Sequence, residues 1–236
     1  MPIEPLAAIR TRRPKVHAII GGVTTAFVTD VLAAIGAAPT VTFEAPEAAH
    51  MTATADALLV NLAQSDAARR KGAQAAAQAA RRAGIPWLFD PAMIHRSPPR
   101  LIFARRLMAL GPTIIKPNRA ELAALTGAAT EQAAGLLAIQ AGGVVFLTGP
   151  KAVVTDGREV VHALGSHPRL AAGVGYGCAL GAVATAFLAV MPPMQAAITA
   201  HRLFLRAAER AAVRGRGPAS FRIAFIDSLH ELGEGP

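Results

Sequence analysis

The chain has one cysteine, Cys178, one tryptophan and one tyrosine. A single cysteine excludes an intrachain disulfide and a cysteine-built zinc site. Aromatic residues make up 5% of the chain. None interleaves with the arginine groups, so platforms for stacking bases are missing. Acidic residues are also scarce, at 15 against 24 Lys and Arg, giving a formal charge of +9. That excess fits an anionic ligand, nucleic acid or a plain basic surface, but the arginines are dispersed, which favours solvated faces. No uncharged apolar run reaches the ~18 residues of a membrane span. The longest, from Ala179 to Met191, stops at Pro192-Pro193 and reads as a buried helix. The opening MPIEPLAAIRTRRPKVHAII has no apolar signal region before a cleavage site, so the expectation is a cytosolic protein.

What is abundant is alanine, within a hydrophobic share of 53%. Short Val/Ile/Leu runs alternate with longer Ala-rich helical stretches along the chain. Strands are expected at 16–21, 40–43, 57–62, 86–90, 113–116 and 143–148, with a hairpin at 152–156 and 159–162. Helices are expected at 5–12, 24–35, 45–54, 65–82, 99–110, 119–125 and 130–140. The stretches 178–190 and 194–214 read as the last long helices, with a loop at 215–218. This alternation predicts one α/β domain over 1–236, with a mostly parallel central sheet flanked by helices.

In such folds ligands bind beyond the C-terminal strand ends. Polar residues stand at four of them: Asn61, Asp90, Lys116 with Asn118, and Thr148. Each is also an ordinary turn former. Gly173-Val-Gly175-Tyr-Gly177-Cys178 then runs straight into the apolar helix. Its glycines free backbone N–H groups to converge on an anion, and the helix start adds its positive end. The pattern is neither a P-loop nor a dinucleotide fingerprint. Cys178 at the helix mouth is expected to have its thiol pKa lowered from about 8.5 and to accept a substrate proton. Asn118 and Glu121 have capping-box spacing and also suit a hydrated Mg²⁺ on phosphates, with Lys116 as a nearby point charge. The histidines show no metal-ligand spacing.

Together these stretches resemble the hydroxyethylthiazole kinase family, of ribokinase-like three-layer fold. LLVNL (58–62), PWLFDP (86–91), IIKPNRAELAALTG (114–127), VVFLTG (144–149), VVTDG (153–157) and GVGYGCALGAVATAFLAV (173–190) follow in family order. GPASFRIAFIDSLHEL (217–232) is similar to its closing segment. The resemblance implies ATP-dependent, Mg²⁺-assisted phosphorylation of the primary alcohol of 4-methyl-5-(2-hydroxyethyl)thiazole, in thiamine salvage. It further implies a homotrimer with active sites between subunits, acting on a small-molecule alcohol and on neither nucleic acid nor membrane. It assigns Cys178, Gly175 and Gly177 to catalysis, and Lys116, Asn118, Thr148 and Tyr176 to the nucleotide. Val41, Asn61 and Gly175 fall at the substrate, and Asp90 and Glu121 at the metal.

The chain departs from the family pattern at its loops. Lys116 replaces Arg, Pro117 replaces Gly, and Tyr176 replaces Thr between the anion-hole glycines. The usual DPVGxGA reads Asp90-Pro-Ala-Met-Ile-His-Arg96. These changes leave open a kinase for a related small alcohol, or a homologue that binds nucleotide or vitamin without catalysis.

Overall fold

A computed structural model describes residues 4–163 and 165–233. Eight strands form one sheet in the order β2-β1-β3-β4-β5-β6-β7-β8. They are β1 (Lys15–Ile19), β2 (Ala38–Val41), β3 (Ala57–Asn61), β4 (Trp87–Asp90), β5 (Ile114–Ile115), β6 (Val144–Leu147), β7 (Ala152–Thr155) and β8 (Val160–Ala163). The first six are parallel; β7 pairs antiparallel with β6, and β8 antiparallel with β7. The expected hairpin is therefore present, and the mostly parallel sheet is as the alternation predicts.

Successive strand side chains point to opposite faces, and the two cores follow that rule. Val16, Ala18, Leu59, Leu88, Ile114, Val144 and Phe146 pack on one face. That face is covered by α1 (Glu4–Arg12), α2 (Gly22–Ala34), α9 (Tyr176–Leu188), α10 (Pro193–Arg214) and α11 (Pro218–Glu231). Leu58, Val60, Trp87, Phe89, Ile115, Val145 and Leu147 pack on the other. There α3 (Ala45–Ala53), α4 (Ala67–Ala83), α5 (Pro98–Met108), α6 (Arg119–Thr126) and α7 (Glu131–Ala141) lie over them. Both faces being dry explains why the strands read as continuous apolar runs rather than alternating ones. Each of the large buried side chains here stabilises the fold by ~2–5 kcal/mol against truncation to Ala.

Three corrections concern the elements. α11 is a third long C-terminal helix beyond the two expected, entered by Pro218 at its first position. Ile94–Arg96 forms a 3₁₀ turn and Pro168–Ala172 a short helix, α8; neither was expected. β5 is only two residues long, because Pro117 lacks an N–H to continue the ladder. Among the described residues, no single helix is long and apolar enough to cross a membrane.

Candidate active site

The C-terminal strand ends bring five of the predicted residues together by register. Asn61 pairs with Asp90 across β3 and β4. The Lys116 amide donates to the Phe89 carbonyl at 2.8 Å. Beyond Pro117, Asn118 and Thr148 form an isolated parallel bridge, and the Thr148 amide donates to Pro117 O at 2.9 Å. Polar residues at one edge of adjacent parallel strands therefore become one surface.

α9 lies across this surface. Its cap, Gly175, has φ 91°, ψ −11°, a left-handed conformation that glycine adopts without strain. Cys178 then sits in the first turn of α9, where Asn61 Nδ2 donates to its Sγ at 3.4 Å. Thr24 of α2 also faces the thiol. One turn further, a Cβ on Gly181 would lie 3.1 Å from Lys116 Cε and 3.6 Å from Asp90 Oδ2. Gly181 thus lets α9 pack directly on an ion pair.

That pair is Lys116 Nζ to Asp90 Oδ2, 3.0 Å, with both side chains nearly inaccessible. Burial pulls the lysine pKa down, but Asp90 and then Glu121 outweigh it, so the net shift is upward and Lys116 stays charged. The Lys116 ammonium, expected as a point charge near the phosphates, is tied to Asp90 beneath α9. Glu121 is 5% exposed. Its Oε2 accepts from the Asn118 amide at 2.8 Å and its Oε1 from the Met93 amide at 2.9 Å. Asn118 Oδ1 accepts from the Glu121 amide at 2.9 Å, so the capping box is formed. Burial first, and Asp90 second, raise the Glu121 pKa.

Cys178 also behaves oppositely to expectation. Its pKa is pushed up to about 11, by burial first and the nearby Asp90 second, with Lys116 opposing. The helix start does not overcome desolvation, and the resting thiol is uncharged at neutral pH.

Two buried carboxylates share a single lysine here, which leaves the cluster short of positive charge. That shortage suits a cation. Mg²⁺ keeps most of its waters and reaches carboxylates through them, so Asp90 and Glu121 fit it even with some lone pairs already used. Among the described residues, no group of three or more His, Cys, Asp or Glu is placed to hold a metal ion.

Tyr176 is 4% exposed. Its ring meets Phe27 at 4.9 Å and Phe225 at 5.3 Å, edge to face in both cases. It also lines a cavity of about 210 Å³ with Thr148, Gly177, His167, His201 and Phe204. Val41 stands apart. It ends the edge strand β2, two strands away from Asn61.

Sequence reasoning missed Thr24, Gln64, Met93 and His201. Gln64 Oε1 accepts from the Gly22 amide at 2.8 Å and closes the start of α2. Met93 holds φ 67°, which is unusual outside glycine. Its place in the family's glycine position was the signal. His201 is buried beside Phe146, and burial lowers its pKa; no local pattern marks it.

A three-layer α/β fold with a glycine turn and helix start above clustered strand-end charges defines the class of ribokinase-like proteins. A ribokinase-like superfamily protein from Enterococcus faecalis shares this fold, with TM-score 0.70 at 14% identity, over 94% of this chain and 89% of that one. The hydroxyethylthiazole kinase family model matches residues 6–235, and the chain belongs to that family. It is 37% identical to a hydroxyethylthiazole kinase from Cereibacter sphaeroides, over 96% of this chain and 92% of the relative. The solved hydroxyethylthiazole kinase protein from Pyrococcus horikoshii superposes with TM-score 0.92 at 30% identity, over 98% of this chain and 93% of that one.

Proposed function

We propose that this enzyme transfers the γ-phosphoryl group of ATP to the primary hydroxyl of 4-methyl-5-(2-hydroxyethyl)thiazole, as one catalytic domain. The observation that carries this reading is the convergence of Asn61, Asp90, Lys116, Asn118, Thr148 and the Gly175–Cys178 turn on one sheet edge, in a chain of this family. The alcohol lies against Asn61, Gly175 and Cys178, with Val41 toward its far side. The nucleotide lies along Asn118, Thr148 and Tyr176. Backbone amides at Gly175 and Gly177 stabilise the charge on the phosphoryl group in transfer, and alignment supplies most of the rest. Asp90 and Glu121 are the residues that would hold Mg²⁺, which would supply charge to offset the phosphates. Lys116 acts from beneath, fixing the Asp90 carboxylate. Cys178 positions the hydroxyl through the Asn61–thiol contact; as a neutral thiol it is a weak proton acceptor. The assembly is a homotrimer in the cytosol, with sites between subunits.

Incubation with ATP, Mg²⁺ and a panel of small primary alcohols, read by product mass, tests this. Thiazole phosphate is the expected product, lost in Glu121→Gln. ATP binding without phosphate transfer to any alcohol overturns the reading. Tyr176 and Met93 at family Thr and Gly positions favour a second reading, a related small alcohol. Product from such an alcohol alone establishes it. A trimer mass in light scattering tests the assembly.

A further inference from the structure

On the far side of Tyr176 lies a second cavity, of about 380 Å³, lined by Arg169, Arg216, Arg222 and Phe221 and by the start of α11. It shares only Tyr176 with the cavity beside Thr148 and Gly177. Among the described residues, no carboxylate lines it. Arg69 pairs with Asp66, and Arg210 and Arg214 with Glu231. The three arginines of the cavity form no such pair among the described residues. Arg169 donates to the Gly215 carbonyl, with its guanidinium 5.4 Å from the Phe221 ring centroid. Arg222 Nη2 donates to Val174 O at 2.7 Å and lies 4.4 Å from the Phe27 ring centroid. Both are held in place by neutral groups, so their charge is positioned without being offset. Arg216 is exposed and forms no hydrogen bond or ion pair with the described residues. Tyr176 Oη is buried at the same cavity, and Arg222 is the charged group that acts on it.

We propose that this cavity is an anion site for a small molecule carrying two or more phosphate groups. Three like charges around one cavity repel unless an anion bridges them, and guanidinium forks match phosphate oxygens. The positive end of α11, a 14-residue helix, adds to the same field. The cavity wall includes Gly173 and Val174, which lead into the Gly175 cap. Gly173 cannot carry a side chain there, because a Cβ would meet the Tyr176 ring at 2.3 Å. An anion held here therefore braces the turn that forms the catalytic anion hole. The site lies beyond the phosphotransfer reading and does not rest on it.

The test is calorimetric titration of the full chain with inorganic pyrophosphate, without metal. Wild-type protein binds it, and Arg216→Ala weakens binding by about tenfold, the scale of one charge-assisted contact, with Arg216→Lys between the two. Melting temperature stays unchanged in both variants because Arg216 is exposed and unpaired. Turnover of whichever alcohol is the substrate also stays unchanged without pyrophosphate. Absence of wild-type binding overturns the proposal. So does binding indifferent to Arg216→Ala, or binding displaced by Mg²⁺ with a non-hydrolysable ATP analogue, since either places the anion at the catalytic edge. Loss of kinase activity in the wild type leaves these outcomes readable.

Discussion

Replacing Lys116 with methionine keeps the side chain's reach and removes its charge. Lys116 Nζ lies 3.0 Å from Asp90 Oδ2, with side-chain exposures of 5% and 4%, and Glu121 acts on the same lysine. Without the ammonium, two carboxylates stay buried with no cation between them. Removing one partner of a buried pair costs ~3–5 kcal/mol, a large part of the ~5–15 kcal/mol that holds a typical domain folded. The pH dependence is the sharper readout. The Glu121 pKa is already raised, by burial first and Asp90 second, and loss of Lys116 raises the cluster's proton affinity further. A carboxylate with a raised folded pKa binds its proton more tightly folded than unfolded. Its stabilising share is then full below the unfolded range of ~4 and is lost as pH climbs through the folded value. The variant's deficit is therefore largest near pH 8 and shrinks toward pH 5. Urea unfolding with EDTA present, for wild type, Lys116→Met, Asp90→Asn and the double variant, measures it. The expected loss is ~3 kcal/mol at pH 8 for Lys116→Met, with the double variant recovering at least ~1 kcal/mol relative to additivity. A loss under ~1 kcal/mol that is flat across pH refutes the buried pair and with it the anchoring role of Lys116.

Three other perturbations follow from the site. With its pKa pushed up to about 11, Cys178 is expected to resist alkylation by iodoacetamide at pH 7 and to react faster as pH rises above ~9; rapid labelling at pH 7 contradicts the buried thiol. Cys178→Ala is expected to lower turnover by less than about tenfold while leaving ATP affinity unchanged, because a neutral thiol supplies little general-base catalysis; abolished turnover assigns the thiol a proton-transfer role. Met93→Gly relieves a left-handed φ of 67°, and a gain of ~0.5–1 kcal/mol in urea unfolding is expected; destabilisation means that the Met93 side chain, 38% exposed, makes contacts that outweigh the strain.

The strands were legible because burial on both faces leaves a run such as Ala57–Asn61 apolar throughout, and the polar residue that ends each run marks the site edge. Asn61, Asp90, Asn118 and Thr148 could be read this way because parallel register places strand ends side by side whatever the loops contain. The charge state of the site could not be read. Lys116 and Cys178 are 62 positions apart in number but share one buried cluster, and it is the crossing of α9 over the strand ends that buries them. In one dimension the helix start argues for a low thiol pKa. In the first turn of α9, packed beside Asp90, the same thiol is desolvated and its pKa rises. The missed α11 has a similar cause: Phe221, Phe225 and Leu229 are buried, yet Pro218 and the preceding glycines read as a loop. Its importance lies in its aromatic contacts with Tyr176, which only tertiary packing reveals. Threonine has no ring to make those contacts, so tyrosine in place of the family's threonine also changes how α11 holds the glycine turn.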